Sequence, residues 1–599
     1  MSEYRLFSTL EPDQMNRLTK AAMGQVPADM VIINGSVVNV YTKERMESCN
    51  VSICGDRIAR VGPKVEHTIG PDTVVIDAVG KTVIPGLIDG HTHLAWLFSA
   101  TEFLKSAMKG GTTTIITETL EPLPVAGVAG VIDFLDSFRD QPIKILATAP
   151  PMVSISRAAR RIAAKDLETL LDRDDILGLG ETYWQAVIQE PDLYLPLFHQ
   201  TLSAGKLLEG HSAGASFDKL SAYAAAGISS CHEPIKPEEV IDRLRMGIYV
   251  MVREGSIRRD LADIAMIKDA GLDLRRLILS TDGVSPKDLI EKGYMEYVLQ
   301  KAIDCGFDPI EAIQMATLNV AEHFHLDHLI GGIAPGRCAD LLILPDIHTI
   351  TPVTVISKGR VIAQGGKIKV QPRAHTYAPE SMKTIRLARN MIADDFVIRV
   401  NNPVSTVKVR VIKMVSDLVT QEFHEDMPVI GGNILSDPIR DIVKVAAVDR
   451  TLHPGKAFTG LIQGFGLKSG AMACSAAWDS TAIIVVGAAD TDMALAVNRI
   501  RTLQGGAVVC DNGRVLAELA LPIFGLMSLS PIQTLADATS ELTVAAVDLG
   551  IPFQDPVLSL ITLTGAAIPF LRICEEGLVN LKDGRRVDLI VEQIDHGEY

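Results

Sequence analysis

Two histidines one residue apart, His91 and His93, follow an apolar run in Val83-Ile-Pro-Gly-Leu-Ile-Asp-Gly-His-Thr-His-Leu94. On a strand, positions i and i+2 share a face, so both imidazoles point the same way and can share a metal ion. Further apolar runs end in residues suited to the same task. Residues 176–180 lead to Glu181, 207–210 to His211, 227–231 to His232 and Glu233, and 277–281 to Asp282. Imidazole and carboxylate donors suit Mn²⁺, Fe²⁺ or Zn²⁺, and the absence of thiolates argues against a structural zinc site. The expected arrangement is one ion on His91, His93 and Asp282, a second on His211 and His232, and Glu181 bridging the two. A water between two such ions gives up a proton near pH ~7 rather than ~15.7. Asp282 would accept that proton and pass it to the leaving group, while Glu233 would donate to a ring nitrogen of the substrate. The reaction class expected of this set is hydrolytic attack on an sp² carbon of an amide or amidine.

These residues can act together only if the fold brings their strand ends to one place. Residues 85–330 alternate apolar strands (112–117, 143–149, 176–180, 207–211, 227–232, 249–252 and 277–281) with amphipathic segments (126–138, 166–171, 217–226, 237–246 and 289–305). That is the rhythm of a (β/α)8 barrel, where chemistry sits at the C-terminal ends of the strands. No G-x-G-x-x-G follows the first strand, which argues against a doubly wound sheet. Short β-rich pieces lie on both sides: 30–33, 36–40, 50–53, 58–61 and 74–76 before the barrel, 339–344 and 353–361 after it. They predict one small β domain built from both flanks. The expected organisation is therefore an α/β protein in four stretches. Residues 1–84 hold an N-terminal helix (14–23, capped by Asp13) and the first part of the β domain. Residues 85–330 form the barrel, 331–372 the second part of the β domain, and, after a linker over 372–387, residues 388–599 an α+β domain with helices at 491–503 and 531–547. In Gly464-Phe-Gly-Leu-Lys-Ser-Gly470 no G-K-[ST] follows, so the glycines mark close backbone approach or a flexible loop rather than a phosphate loop.

Composition narrows the function classes. A formal charge of −16 with no clustered basic face argues against nucleic-acid binding. Apolar runs break before membrane-spanning length, and the N-terminal Met-Ser-Glu-Tyr-Arg is followed by no apolar signal region. Eight cysteines without a C-x-x-C pair read as reduced, mostly buried thiols of a cytoplasmic protein.

Taken together, several stretches resemble a known family. Pro85-Gly-Leu-Ile-Asp-Gly-His-Thr-His, the strand-end His211, His232 and Asp282, and Ile333-Ala-Pro-Gly-Arg-Cys-Ala-Asp-Leu-Leu-Ile resemble the amidohydrolase superfamily. Gly110-Gly-Thr-Thr-Thr-Ile-Ile, Glu209-Gly-His-Ser-Ala-Gly, Cys231-His-Glu, Ser280-Thr-Asp-Gly, Met315-Ala-Thr-Leu-Asn and Leu521-Pro-Ile-Phe-Gly-Leu-Met-Ser resemble its adenine deaminase family, over nearly the whole chain. The resemblance implies two Mn²⁺ or Fe²⁺ ions per chain and a glutamate at Glu181 where much of the superfamily has a carboxylated lysine. It further implies conversion of adenine to hypoxanthine and ammonia by a homo-oligomer such as a dimer. The chain departs from the family around the pocket. Leu94-Ala-Trp-Leu97 replaces Ile-Glu-Ser-Ser, Glu118-Thr-Leu-Glu121 replaces Asp-Pro-His-Glu, and Trp478-Asp-Ser-Thr-Ala482 replaces His-Asp-Ser-His-Asn. Glu121, Trp478, Asp479 and Ser480 are the residues expected to meet the purine-like substrate. Altered polar recognition groups change substrate choice, so a different amino-heterocycle or a cyclic amide is the alternative.

Overall fold

The computed structural model describes residues 9–159, 161–401 and 403–594; the N-terminal pentapeptide and the last five residues lie outside these. Eight strands form the barrel: β1 (Leu87–Thr92), β2 (Thr112–Thr117), β3 (Lys144–Ala149), β4 (Ile176–Tyr183), β5 (Leu207–His211), β6 (Ser230–Cys231), β7 (Tyr249–Arg253) and β8 (Leu277–Ser280). All pair in parallel, β1 to β5 as one arc and β6 to β8 as another. Two hydrogen bonds close the ring: Ser229 N donates to Leu208 O (2.9 Å) and Asp282 N donates to His91 O (3.0 Å). Ile88, Ile116, Leu146, Met251 and Ile278 pack with Val320 and Phe324. At roughly 1.5–3 kcal/mol for each buried side chain, this cluster makes the barrel a packed core rather than a channel.

The flanking β pieces join in one nine-stranded sheet, because Leu341–Leu344 runs antiparallel to Thr82–Pro85, with Ile343 opposite Val83. Two details differ from the sequence expectation. Asn34-Gly35 does not separate two strands; Met30–Asn39 is one strand with an irregularity there, and Asn34 takes φ +62°. Conversely, the run 353–361 is two antiparallel strands, Thr354–Ser357 and Arg360–Gln364, joined by Lys358 (φ +49°) and Gly359 (φ +72°). That pair of positive φ values is the tight hairpin geometry matching strand twist. The N-terminal helix is Pro12–Ala22, and its cap is Glu11, which exchanges bonds with Gln14, rather than Asp13.

The third unit is built on an eleven-stranded sheet. Its central strands Ile442–Asp449 and Ala482–Gly487 are buried on both faces and almost wholly apolar, Lys444 and Asp449 being the buried charged exceptions. Ala446, Val448, Ile483 and Val485 face Met493, Val497 and Ile500 of helix Asp490–Leu503. Val445, Ala447, Ile484 and Val486 turn to the opposite side and join the core shared with the barrel. Of the two readings open for the glycine-rich stretch, close approach applies at Gly466, where a Cβ would lie 2.4 Å from Gly550 O. The segment expected as a linker is strapped to the barrel. Arg373 Nε donates to Arg139 O (2.7 Å), and His375 meets Asp133 of helix Pro122–Asp136. A short parallel ribbon, Leu97–Phe98 with Met527–Ser528, ties this unit to the mouth of the barrel.

Candidate metal centre

All six expected metal ligands lie at the C-terminal mouth of the barrel. His91 lies at the end of β1 and His93 just past it, Glu181 lies in β4, His211 ends β5, and His232 and Asp282 follow β6 and β8. Asp282 sits at φ +58°, a left-handed conformation that Asp tolerates better than bulky residues. Asp89 makes that turn reproducible: it accepts from Thr281 Oγ1 (2.6 Å), from Tyr294 OH (2.5 Å) and from the backbone N–H groups of His91 and Thr281 (3.2 Å each). One carboxylate thus clips the first strand to the last and aims Asp282 at the histidine pair.

Asp282 Oδ1 is 3.4 Å from Nε2 of both His91 and His93. Glu181 places Oε1 3.8 Å from His93 Nε2 and Oε2 3.1 Å from His232 Nε2, so its two oxygens face the two histidine pairs. Glu233 Oε1 lies 3.2 Å from His211 Nε2 and 3.3 Å from His232 Nε2. These donors form three overlapping sets, His91–His93–Asp282, His91–Glu181–His232 and His211–His232–Glu233, with donor atoms inside each set within 4.8 Å of one another. Only the first set is the one expected from the sequence: the second joins His91 to His232, whose rings stack at 4.0 Å, and the third brings in Glu233, expected as a proton donor.

The electrostatics suit cations. Burial alone would raise the Glu181 carboxyl, but His232, His93 and His211 hold it down at about 2. Burial opposes charge on His211 as well, yet Glu233 and Glu181 raise it to about 9. His232, desolvated and next to His91, falls to about 4. Five carboxylates meet here: Glu233 and Asp282 share the guanidinium of Arg253, while Glu118, Glu121 and Glu181 face the histidines. Buried charge on this scale is stable only when paired. His91 Nε2 is buried without a hydrogen-bond partner. The nitrogen and oxygen donor set, the surplus of negative charge and this orphaned imidazole atom fit divalent ions of the Mn²⁺, Fe²⁺ or Zn²⁺ type.

Three further residues contact the candidate ligands, two of them, Glu118 and Arg253, without a role expected from the sequence. Glu118 lies 3.6 Å from His91 Nδ1, and burial pushes its carboxyl up to about 7. Arg253 contacts both Glu233 and Asp282. Glu121, expected to meet substrate, instead bonds His93 Nδ1 at 2.6 Å and is fully buried. A carboxylate on the far nitrogen of a ligand histidine fixes its tautomer and orientation. The detectable signal was position: Glu118 and Glu121 follow β2 and Arg253 ends β7, at the same mouth.

A cavity of about 270 Å³ opens above the ligands. His93, Glu181, His211, His232, Glu233 and Asp282 form its floor, and Trp478, Leu418, Val419, Ile568 and Pro569 of the third unit form much of its wall. The Trp478 ring lies parallel to His93 (5.4 Å, 8°) and edge-on to the buried Trp96 (6.0 Å). Asp479 and Ser480, the remaining residues expected to meet substrate, do not line this cavity. Asp479 accepts from Ala566 N (2.7 Å) and Ser480 Oγ accepts from Ala482 N (3.1 Å), so both shape the loops that carry the wall.

Comparison with known proteins places the chain in a family. Residues 82–365 match the amidohydrolase family and residues 417–585 the adenine deaminase C-terminal domain. Adenine deaminase of Moorella thermoacetica is 37% identical, over 96% of this chain and 97% of its own length. The chain belongs to the adenine deaminase family. Adenine deaminases of Cenarchaeum symbiosum (35%, 95% of this chain and 94% of that one) and Clostridium botulinum strain Langeland (33%, 96% and 97%) span it equally fully. A solved structure of molinate hydrolase aligns with a TM-score of 0.44 and 16% identity over 59% of this chain and 99% of that chain. The matched C-terminal stretch contains Trp478 and the other wall residues, so the unit that marks the family also forms the roof of its cavity.

Proposed function

We propose that this chain hydrolyses adenine to hypoxanthine and ammonia, using two Mn²⁺ or Fe²⁺ ions held by His91, His93, Glu181, His211, His232 and Asp282. The observation that carries the reading is the full-length relationship, at 33–37% identity, to adenine deaminases from unrelated sources. The convergence of the six donors beneath one cavity supports it. Zn²⁺ accepts the same ligands. The ions supply an activated water at neutral pH.

The remaining work falls to side chains of the chain. In the overall reaction the water oxygen bonds to C6, the C6–amino bond breaks, one water proton ends on ring N1 and the other on the departing amine. Two transfers call for two proton-handling groups. Asp282, whose Oδ1 lies nearest the His91–His93 pair, accepts the first proton and hands it to the amine. Glu233, at the other side of the floor, serves the ring nitrogen. Arg253 and His211 hold its carboxyl below the usual range against the effect of burial, so Glu233 takes up a proton before it delivers one. Glu118 and Glu121 orient His91 and His93, and Trp478 with Ile568 and Pro569 offers a flat apolar face to a planar ring.

The apolar wall favours a second reading, hydrolysis of another amino-heterocycle or a cyclic amide at the same site. The test is product analysis of Mn²⁺-loaded protein on adenine beside other aminopurines, pteridines and cyclic amides. Ammonia from adenine, faster than from the other compounds, supports the first reading. A new carboxylate product from a cyclic amide, with adenine untouched, replaces it with the second. We assign the protein to the cytoplasm as a homodimer acting on a small molecule, with neither nucleic acid nor membrane as partner. Among the described residues no helix is long and apolar enough to cross a membrane.

A further inference from the structure

The buried arginine at the end of β7 is not accounted for by metal ligation or by proton transfer. β7 is the middle strand of the arc β6–β7–β8, with Val250 opposite Cys231 and Arg253 opposite Ser280. Glu233 lies two residues past the end of β6 and Asp282 two past the end of β8, so the two carboxylates flank Arg253 from either side. Its Nη1 contacts Glu233 Oε1 and lies 3.3 Å from Asp282 Oδ2. The opposite edge of the guanidinium is anchored: Nε and Nη2 each lie 3.0 Å from Asp260 Oδ2. The loop after β7 folds back to set that anchor, with Asp260 N donating to Arg253 O (2.9 Å). Asp260 also takes Arg258 Nη2 at 3.3 Å. Arg253 is only 4% exposed, so these contacts are made out of bulk water, where they are strongest.

We propose that Arg253, braced by Asp260, is the positioning residue that holds Glu233 and Asp282 in working register. The proposal rests on the reading of those two carboxylates as the proton-handling pair. Two carboxylates on one floor repel, and a planar fork with its far edge fixed holds both at set places. By taking Asp282 Oδ2, Arg253 leaves Oδ1 turned to His91 and His93. By taking Glu233 Oε1, it keeps that side chain over the His211–His232 pair. A lysine ammonium keeps the charge, but as a single point it cannot span both carboxylates and Asp260 together.

The test compares Arg253→Lys and Asp260→Asn with the unsubstituted protein in two measurements, Mn²⁺ titration and steady-state turnover of adenine. Arg253→Lys should weaken Mn²⁺ binding at least fivefold and lower kcat at least tenfold with KM within twofold. Asp260→Asn, which leaves the cavity lining untouched, should shift both quantities the same way by a smaller factor. Unchanged Mn²⁺ affinity and kcat in both variants would overturn the proposal. So would a rise in KM at constant kcat, which would make Arg253 a substrate-binding group. If the unsubstituted protein binds two ions but leaves adenine untouched, the substrate assignment fails, and the Mn²⁺ titration alone decides the role of Arg253. Far-ultraviolet dichroism and melting of each variant confirm that the protein compared is folded.

Discussion

At the scale of single residues, the proposed roles divide groups that would hold ions from groups that would move protons, and Asp282 is assigned both. Asp282→Asn preserves shape while removing the acceptor. Turnover should fall about 10²–10⁴-fold, the usual range for loss of a general base, with the melting temperature within a few degrees. A variant that retains full turnover contradicts the role. Glu181 is different, because its two oxygens face two histidine pairs. Glu181→Gln should reduce bound metal below two ions per chain by elemental analysis of dialysed protein; a full complement removes the bridging role. The convergence of the six candidate ligands was legible in the sequence because each ends an apolar run. Glu121 follows β2 and so sits at the mouth, but nothing in the linear sequence tells that His93 Nδ1 claims it rather than a substrate. Arg253 was passed over because an arginine closing Tyr249-Val-Met-Val-Arg253 reads as a solvated strand end; its burial depends on Glu233, Asp260 and Asp282, three partners from three loops.

At the scale of elements, the barrel strands were readable because parallel strands covered on both sides are continuously apolar. Thr112–Thr117 and Leu207–His211 match the expected ranges, and the run read as one helix over 289–305 is two, Pro286–Glu291 and Met295–Asp304, parted at Gly293 (φ +101°). The eleven-residue strand Thr420–Ile430 escaped notice, since Gln421-Glu-Phe-His-Glu-Asp426 and Pro428 disguise a ribbon whose outer face is wet. Gly110-Gly111 marks how elements constrain one another: Gly111 turns at φ +90°, and a Cβ on Gly110 would lie 1.8 Å from Glu296 Oε2. Glu296 begins helix Met295–Asp304 with Oε2 buried and unpartnered, and burial pushes its carboxyl up to about 7. A raised folded-state value means that its contribution is fully present below the ordinary carboxylate range and lost as pH rises through about 7. Over that window the cost is on the order of 3 kcal/mol. Glu296→Gln should therefore melt higher than the unsubstituted protein at pH 8, with the gain shrinking toward pH 5. Equal gains at both pH values would contradict the buried, titrating carboxyl.

At the scale of the whole molecule, the floor of the cavity and its roof come from different parts of the chain. The barrel supplies the donors, and the C-terminal unit supplies Trp478, Leu418, Ile568 and Pro569. That unit is fixed to the barrel by the Leu97–Phe98 ribbon and by Ser156 Oγ donating to Glu575 Oε1 at 2.7 Å. Neither attachment was legible in the sequence, since both pair residues more than 400 positions apart, beyond the reach of any local pattern. Ions that bind only the folded centre stabilise it by mass action, about 2.7 kcal/mol at a hundredfold excess over Kd. Chelated protein should accordingly melt lower than Mn²⁺-saturated protein, and an unchanged midpoint would contradict a buried metal centre. The most direct test of the whole account is the yield of hypoxanthine and ammonia from adenine, measured on chelated protein before and after Mn²⁺ is restored. The account predicts no turnover from the chelated protein, and equal amounts of the two products once two ions per chain are bound. Two bound ions with adenine left unchanged would contradict it.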